Sequence, residues 1–204
     1  MGAEADTWST DGWGAHVFVL GRDLDLPREV ESVRAASDAF HRHLSHVPQP
    51  DFMRSRTDPW SFGDRVAWED AEPIGDAATL AVIARLRQRL TPVTVPKQVI
   101  HGDILPNVLV ADGSPPAVID WPPYFRPAKL ANAIAATDAV TFRGADLSLL
   151  DEWAVGADWH QLLIRALLYR LGTTGFFASR NSLTGSLLSH VQRVMPVVDA
   201  VLSG

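Results

Sequence analysis

His101-Gly102-Asp103-Ile104-Leu105-Pro106-Asn107, then Val108-Leu109-Val110, Asp112-Gly113-Ser114 and Ala117-Val118-Ile119-Asp120-Trp121, is the stretch whose reading decides the fold. Short apolar runs separated by Asp-Gly-Ser turn chemistry predict strands at Gln98–Ile100, Val108–Val110 and Ala117–Ile119. The polar residues Asp103, Asn107 and Asp120 stand at the ends of these strands, where a sheet hands its side chains to a cleft. Asp103 and Asn107 are four residues apart on what should be a tight loop, and Asp120 lies thirteen residues beyond Asn107.

An isolated Asp or Asn in a turn ordinarily serves its own backbone. Here the order, the strand context and the residue types agree on a chemistry. Phosphoryl transfer asks for a carboxylate that orients the attacking hydroxyl and accepts its proton, and for hard oxygen ligands that place Mg2+ against phosphates. Asp103 fits the first role; Asn107 and Asp120 fit the second. A neutral amide beside a carboxylate binds magnesium without piling negative charge against a polyphosphate. A metal-dependent hydrolase using Asp103 and Asp120 is a weaker alternative for the same residues.

The segments His101-Gly102-Asp103, Pro106-Asn107-Val108-Leu109 and Val118-Ile119-Asp120-Trp121 resemble, in order and separation, those of the aminoglycoside phosphotransferase and choline kinase branch of the protein-kinase-like superfamily. The longer string Pro115 to Tyr124 also resembles an actinobacterial subgroup of that family. The resemblance implies an α+β, mainly helical fold, the C-terminal lobe of the kinase-like fold with a remnant of the N-terminal-lobe sheet. Residues 1–22 would be that remnant and hinge, and residues 23–204 the C-terminal lobe. It implies Asp103 as the catalytic aspartate, Asn107 and Asp120 as ligands of Mg2+ and hence of ATP or GTP, and a small hydroxyl-bearing molecule as acceptor. His101 and Gly102 would shape the loop. Two features depart from the family pattern: the step from Asp103 to Asn107 is four where the family has five, and no lysine precedes Lys97 to serve as the nucleotide-anchoring strand lysine. The front lobe is therefore expected to be largely absent. The resulting alternatives to an active kinase are a catalytically inactive binding or regulatory module and a truncated form of a longer enzyme.

Working outward, Ser9-Thr10-Asp11-Gly12 predicts a turn between two short strands within Thr7 to Leu20. Apolar spacings of three and four predict helices over Arg28–His46 and Asp76–Leu90, with Pro27 in a first helical turn. Asp51–Pro73, with Trp60, Phe62 and Trp68 among Pro, Gly and charges, reads as an ordered loop pinned by aromatic anchors. Beyond Pro127 the pattern predicts helices over Lys129–Phe142, Leu147–Val155, Asp158–Leu171 and Leu183–Leu202.

The 204 residues suffice for one substantial core. With 24 acidic and 18 basic residues the net charge is -6, and no basic tract offers a footprint for nucleic acid. Cysteine is absent, which excludes disulfides and thiolate ligands. No apolar run is long enough for a membrane span and the start is unlike a signal peptide, so the expected location is cytoplasmic, with no membrane partner.

Among other tempting residues, His41, His43 and His46 read as solvated or capping histidines rather than a zinc set. Asp64 and Arg65 read as an ion pair, with the substrate side of the cleft as the alternative. Arg126 reads as a surface salt bridge. Trp121, Tyr124 and Phe125 read as packing residues with ligand stacking as the alternative, and Trp153 and Trp159 as core.

Overall fold

The fold is built around one helix that is apolar on nearly every side. The computed structural model describes residues 9–10, 13–14, 18–180 and 187–204, with side chains from residue 18 to 180 and from 190 onward. The central helix, α6 (Trp159–Ser179), buries Leu162, Leu163, Ile164, Ala166, Leu167, Leu168 and Leu171 almost completely. Such a helix needs cover all round. It receives it from α2 (Pro59–Ala67), α3 (Ala77–Arg87), α4 (Lys129–Arg143) and α7 (Leu187–Ser203). Helix α1 (Val30–Leu44) packs on α4, burying Val30, Val33 and Ala36.

Among the described residues, seven short strands accompany the helices: β1 (Ser9–Thr10), β2 (Trp13–Gly14), β3 (Arg22–Asp23), β4 (Lys97–His101), β5 (Val108–Val110), β6 (Ala117–Val118) and β7 (Pro123–Pro127). They form an antiparallel β1-β2 pair, a three-stranded sheet β3-β5-β6 and an antiparallel β4-β7 pair. The chain is thus mainly helical with small sheets, as the sequence predicts.

Register places the site. In β4-β7, His101 pairs with Pro123, so Asp103, just past one strand, and Asp120, just before the other, lie at the same end of the pair. In β5-β6, Val108 pairs with Val118, which brings Asn107 to Ile119. The Ile119 N–H donates to the Asn107 carbonyl at 3.0 Å. Two ladders therefore converge on one point.

Several sequence expectations are corrected. Asp51–Pro73 is not only an ordered loop: it contains a 3-10 turn at Asp51–Arg54 and the nine-residue α2. The Asp58 carboxylate accepts from the Ser61 N–H at 3.0 Å and Pro59 follows it, an N-cap and first-turn proline that mark a helix start. Strand β7 was hidden by prolines, which sit at its two ends. Helix α5 (Leu149–Glu152) is shorter than Leu147–Val155, and α6 runs beyond Leu171 to Ser179. Two short paired strands occur within Thr7 to Leu20 as expected; the predicted turn residues Asp11 and Gly12, residues 15–17 and the start of the Leu183–Leu202 helix lie outside the described residues.

The close approach of α2 to α6 depends on Gly63. A Cβ there would lie 2.1 Å from Thr173 Oγ1 and 2.5 Å from the Tyr169 carbonyl oxygen. Because backbone stands on the far side, Gly63→Ala is expected to lower unfolding free energy in urea by about 1–3 kcal/mol, the usual range for overpacking; an unchanged midpoint would show that the two helices separate freely.

Candidate active site

Loop 101–107 is closed on itself by hydrogen bonds that use little besides its own residues. The Asn107 N–H donates to the Ile104 carbonyl at 3.0 Å, and Asn107 Nδ2 donates to the Asp103 carbonyl at 2.7 Å. The four-residue step from Asp103 to Asn107 thus forms a complete turn. With its nitrogen engaged, the Asn107 amide is left with its oxygen facing no hydrogen-bond partner among the described residues. Gly102 is required by contact: a Cβ would lie 2.1 Å from the Tyr124 ring.

His101 ties the loop to the strand end that carries Asp120. Its Nδ1 accepts from the Asp103 N–H at 3.1 Å, which leaves Nε2 to carry the proton and donate to the Ile119 carbonyl at 3.0 Å. One neutral tautomer satisfies both contacts. The His101 N–H in turn donates to His41 Nε2 at 3.0 Å, and His41 Nδ1 donates to the Ser37 carbonyl at 2.7 Å. His41 is therefore buried and doubly bonded, not solvated or capping as its sequence context suggested. Burial pulls both imidazoles down, His41 to about 4, so both are neutral near neutrality.

Asp103 is held from the helices. Its Oδ1 accepts from Arg170 Nη2 on α6 at 2.6 Å. Arg170 Nε donates to both carboxylate oxygens of Asp138 on α4, at 3.0 and 3.1 Å, and its Nη2 makes a further short contact with Asp138. Burial works against the Arg170 charge, but Asp138 and Asp103 outweigh it and hold the guanidinium firmly protonated. The Asp103 side chain remains 36% exposed, and its Oδ2 has no partner among the described residues. One oxygen of Asp103 is anchored and the other faces outward.

Asp120 is exposed and takes a left-handed backbone, φ 46°, uncommon for a residue other than glycine but tolerated by Asp. Its carboxylate makes no hydrogen bond or ion pair among the described residues. The structure thus brings Asp103, Asn107 and Asp120 to the same end of the two ladders. No group of three or more His, Asp or Glu that could hold a metal unaided occurs among the described residues, and no described helix is long and apolar enough to cross a membrane.

Other expectations divide. Asp64 pairs with Arg126, not Arg65, through bonds of 2.7 to 3.2 Å, and both side chains are nearly buried, so Arg126 is no surface bridge. Tyr124 is buried with its hydroxyl 3.2 Å from that of Tyr169. Trp121 is half-exposed, its Nε1 donating to the Ile100 carbonyl at 2.9 Å. Trp153 and Trp159 are core residues. Sequence reasoning missed Asp138 and Arg170, although a lone acid in an alanine-rich helix and arginines in an otherwise apolar one are signals of paired buried charge.

The sequence profile of a family described as the phosphotransferase enzyme family matches residues 3–124, more than half of the chain. Comparison with curated proteins finds no match, and comparison with solved structures finds none.

A pH dependence follows from His41. Its folded-state pKa of about 4 lies below the ordinary 6.5, so the unfolded chain binds the proton first as pH falls. The stability is whole above the unfolded value and is lost as pH falls through that window, by about 2 kcal/mol on reaching pH 5. Urea unfolding of wild type and His41→Gln at several pH values should show a shallower loss in the variant, with the remaining slope including His101; equal slopes would contradict the buried neutral histidine.

Proposed function

Because the chain belongs to the phosphotransferase enzyme family, we propose that it transfers the gamma-phosphate of ATP or GTP to a hydroxyl of a small molecule, with Asp103 as the acceptor-orienting base. In this reading residues 23–204 correspond to the C-terminal lobe of the kinase-like fold, and residues 1–22 to the last strands and hinge of its front lobe. The observation that carries it is the anchored Asp103: Oδ1 on Arg170, Oδ2 unpartnered, on a loop locked by Asn107 and His101.

The residues present fit Mg2+. The Asn107 amide oxygen and the Asp120 carboxylate are hard donors without competing partners among the described residues, and two protein ligands suffice where phosphate oxygens and water complete the shell. Bound with a nucleotide, the ion supplies charge neutralisation at the transferring group. The chain's own residues do the rest. Asp103 Oδ2 accepts a hydrogen bond from the acceptor hydroxyl and aligns its oxygen for in-line attack. As the new O–P bond forms and the bond to the nucleoside diphosphate breaks, the hydroxyl proton passes to Oδ2. Arg170 keeps the carboxylate from rotating, and the His101 contacts fix the separation between the Asp103 loop and Asp120.

The variants separate these roles. Asp120→Ala is expected to weaken Mg-nucleotide binding, measured by calorimetry, by about tenfold or more, a loss of about 1.4 kcal/mol. Asp103→Asn should bind the nucleotide like wild type but release nucleoside diphosphate about 10²–10⁴-fold more slowly in the presence of acceptor, the usual worth of a positioned base. Unaltered nucleotide affinity in Asp120→Ala would remove the metal site, and unaltered turnover in Asp103→Asn would remove the base.

A further inference from the structure

A concavity of about 240 Å³ lies between the 3-10 turn, the start of α2 and strand β7. None of Asp103, Asn107 and Asp120 lines it. Four arginines do: Arg54, Arg56, Arg65 and Arg126. Four guanidiniums around one small wall repel one another unless acids or a ligand intervene.

Two of the four are matched by acids. Arg56 Nε and Nη2 donate to the Asp58 carboxylate at 2.9 and 3.2 Å, and its Nη1 donates to the Pro123 carbonyl at 2.8 Å. Arg126 is fixed on Asp64 and makes a longer contact of 3.4 Å with Asp70. Asp64 and Asp70 thus share one guanidinium, and Asp70, 58% exposed, faces mostly water.

The other two are not matched. Arg54 is exposed, and its side chain makes no hydrogen bond or ion pair among the described residues. Arg65 uses only Nη1, which donates to the Arg56 carbonyl at 3.0 Å and to the Ser61 hydroxyl at 3.4 Å. Its Nε and Nη2 have no partner among the described residues, and neither has the Gln49 side-chain amide, also in the wall. With Asp58 included, four arginines stand against three acids, an excess of one positive charge. Outside the wall, the exposed Asp51 and Glu69 pair with none of these arginines. Arg165 and Lys97 stand behind Arg126 around the Trp68 ring, at 4.6, 5.4 and 4.8 Å from its centroid in that order. Glu69 and Asp158 act on Arg165 only at longer range.

The unused groups of Arg54, Arg65 and Gln49 are donors that open on one space. Guanidinium forks match phosphate oxygens in shape as well as charge. A dianion offsets two unmatched cations, whereas a carboxylate would leave one. The volume, below the roughly 300–1,000 Å³ of ordinary ligand pockets, suits a phosphate with at most a small body, for which Met53 and Phe125 provide apolar wall.

We propose that this concavity binds a phosphate dianion, free or as a small phosphomonoester, between Arg54 and Arg65, at a site separate from Asp103, Asn107 and Asp120. Arg56 and Arg126, held by their own acids, give the wall a fixed shape, and the two unmatched arginines supply the charge. The site needs neither Mg2+ nor nucleotide and stands independently of the phosphotransferase reading.

The test titrates inorganic phosphate, phenyl phosphate and benzoate against the full chain by ligand-observed NMR, at low ionic strength, with EDTA and without nucleotide. Both phosphates are expected to bind, and benzoate to bind at least about tenfold more weakly than phenyl phosphate. Arg54→Gln and Arg65→Gln should each weaken phosphate binding by about fivefold or more, the worth of one charge-assisted contact at a half-open site. Arg54→Gln removes no contact within the described residues, so it leaves the fold intact, and Arg65→Lys should retain part of the affinity that Arg65→Gln loses. Tighter binding of phenyl phosphate than of inorganic phosphate identifies an ester whose body covers Met53 and Phe125; equal or weaker binding identifies the free ion. No phosphate binding, benzoate binding as tight as phenyl phosphate, affinity insensitive to both Arg54→Gln and Arg65→Gln, or loss of binding in Asp120→Ala overturns the proposal.

Discussion

Arg170 Nη2 reaches Asp103 on the loop after β4, while the same guanidinium grips Asp138 on α4 from its own position on α6. Three segments distant in sequence thus share one buried cation. Charges this well buried are tolerable only when matched and hydrogen-bonded, because desolvation costs several kcal/mol per ion and an orphaned partner costs more than the pair returns. The consequence is geometric. Helices α4 and α6 cannot shift relative to the loop without uncovering a charge, so the helical packing and the orientation of Asp103 are one constraint.

The matched family segment ends at residue 124, before Asp138 and Arg170. The parts nearest the proposed chemistry lie inside the match: the Asp103 loop, Asn107 and the Asp120 strand end. The helical residues that hold Asp103 lie beyond it. This division has a physical basis. A loop closed by its own hydrogen bonds and by His101 keeps its shape with short-range contacts, whereas the Arg170 anchor depends on the packing of long helices.

The strand-end placement of Asp103, Asn107 and Asp120 was legible in the sequence because each is flanked by apolar runs, and a period of two exposes such interruptions. The mainly helical remainder was legible from spacings of three and four, as in α1, α3 and α4. Less local features were not. Strand β7 is paired only through β4, and its terminal prolines resemble loop punctuation. Helix α2 has nine residues with a glycine inside, so its apolar face spans barely two turns and its start signal, Asp58-Pro59, was the better guide. His41 sits in a run of charged and polar residues, and only the approach of β4 to α1 turns it into a buried acceptor for the His101 N–H. Arg170 and Asp138 are 32 positions apart, a pairing no local window contains.

In the proposed phosphoryl transfer through a loose transition state, the attacking hydroxyl needs little deprotonation until bond formation is advanced, so orientation is the main thing asked of the Asp103 carboxylate. An anchored Oδ1 gives Oδ2 a fixed direction, and the ion pair removes net negative charge that would repel a polyphosphate.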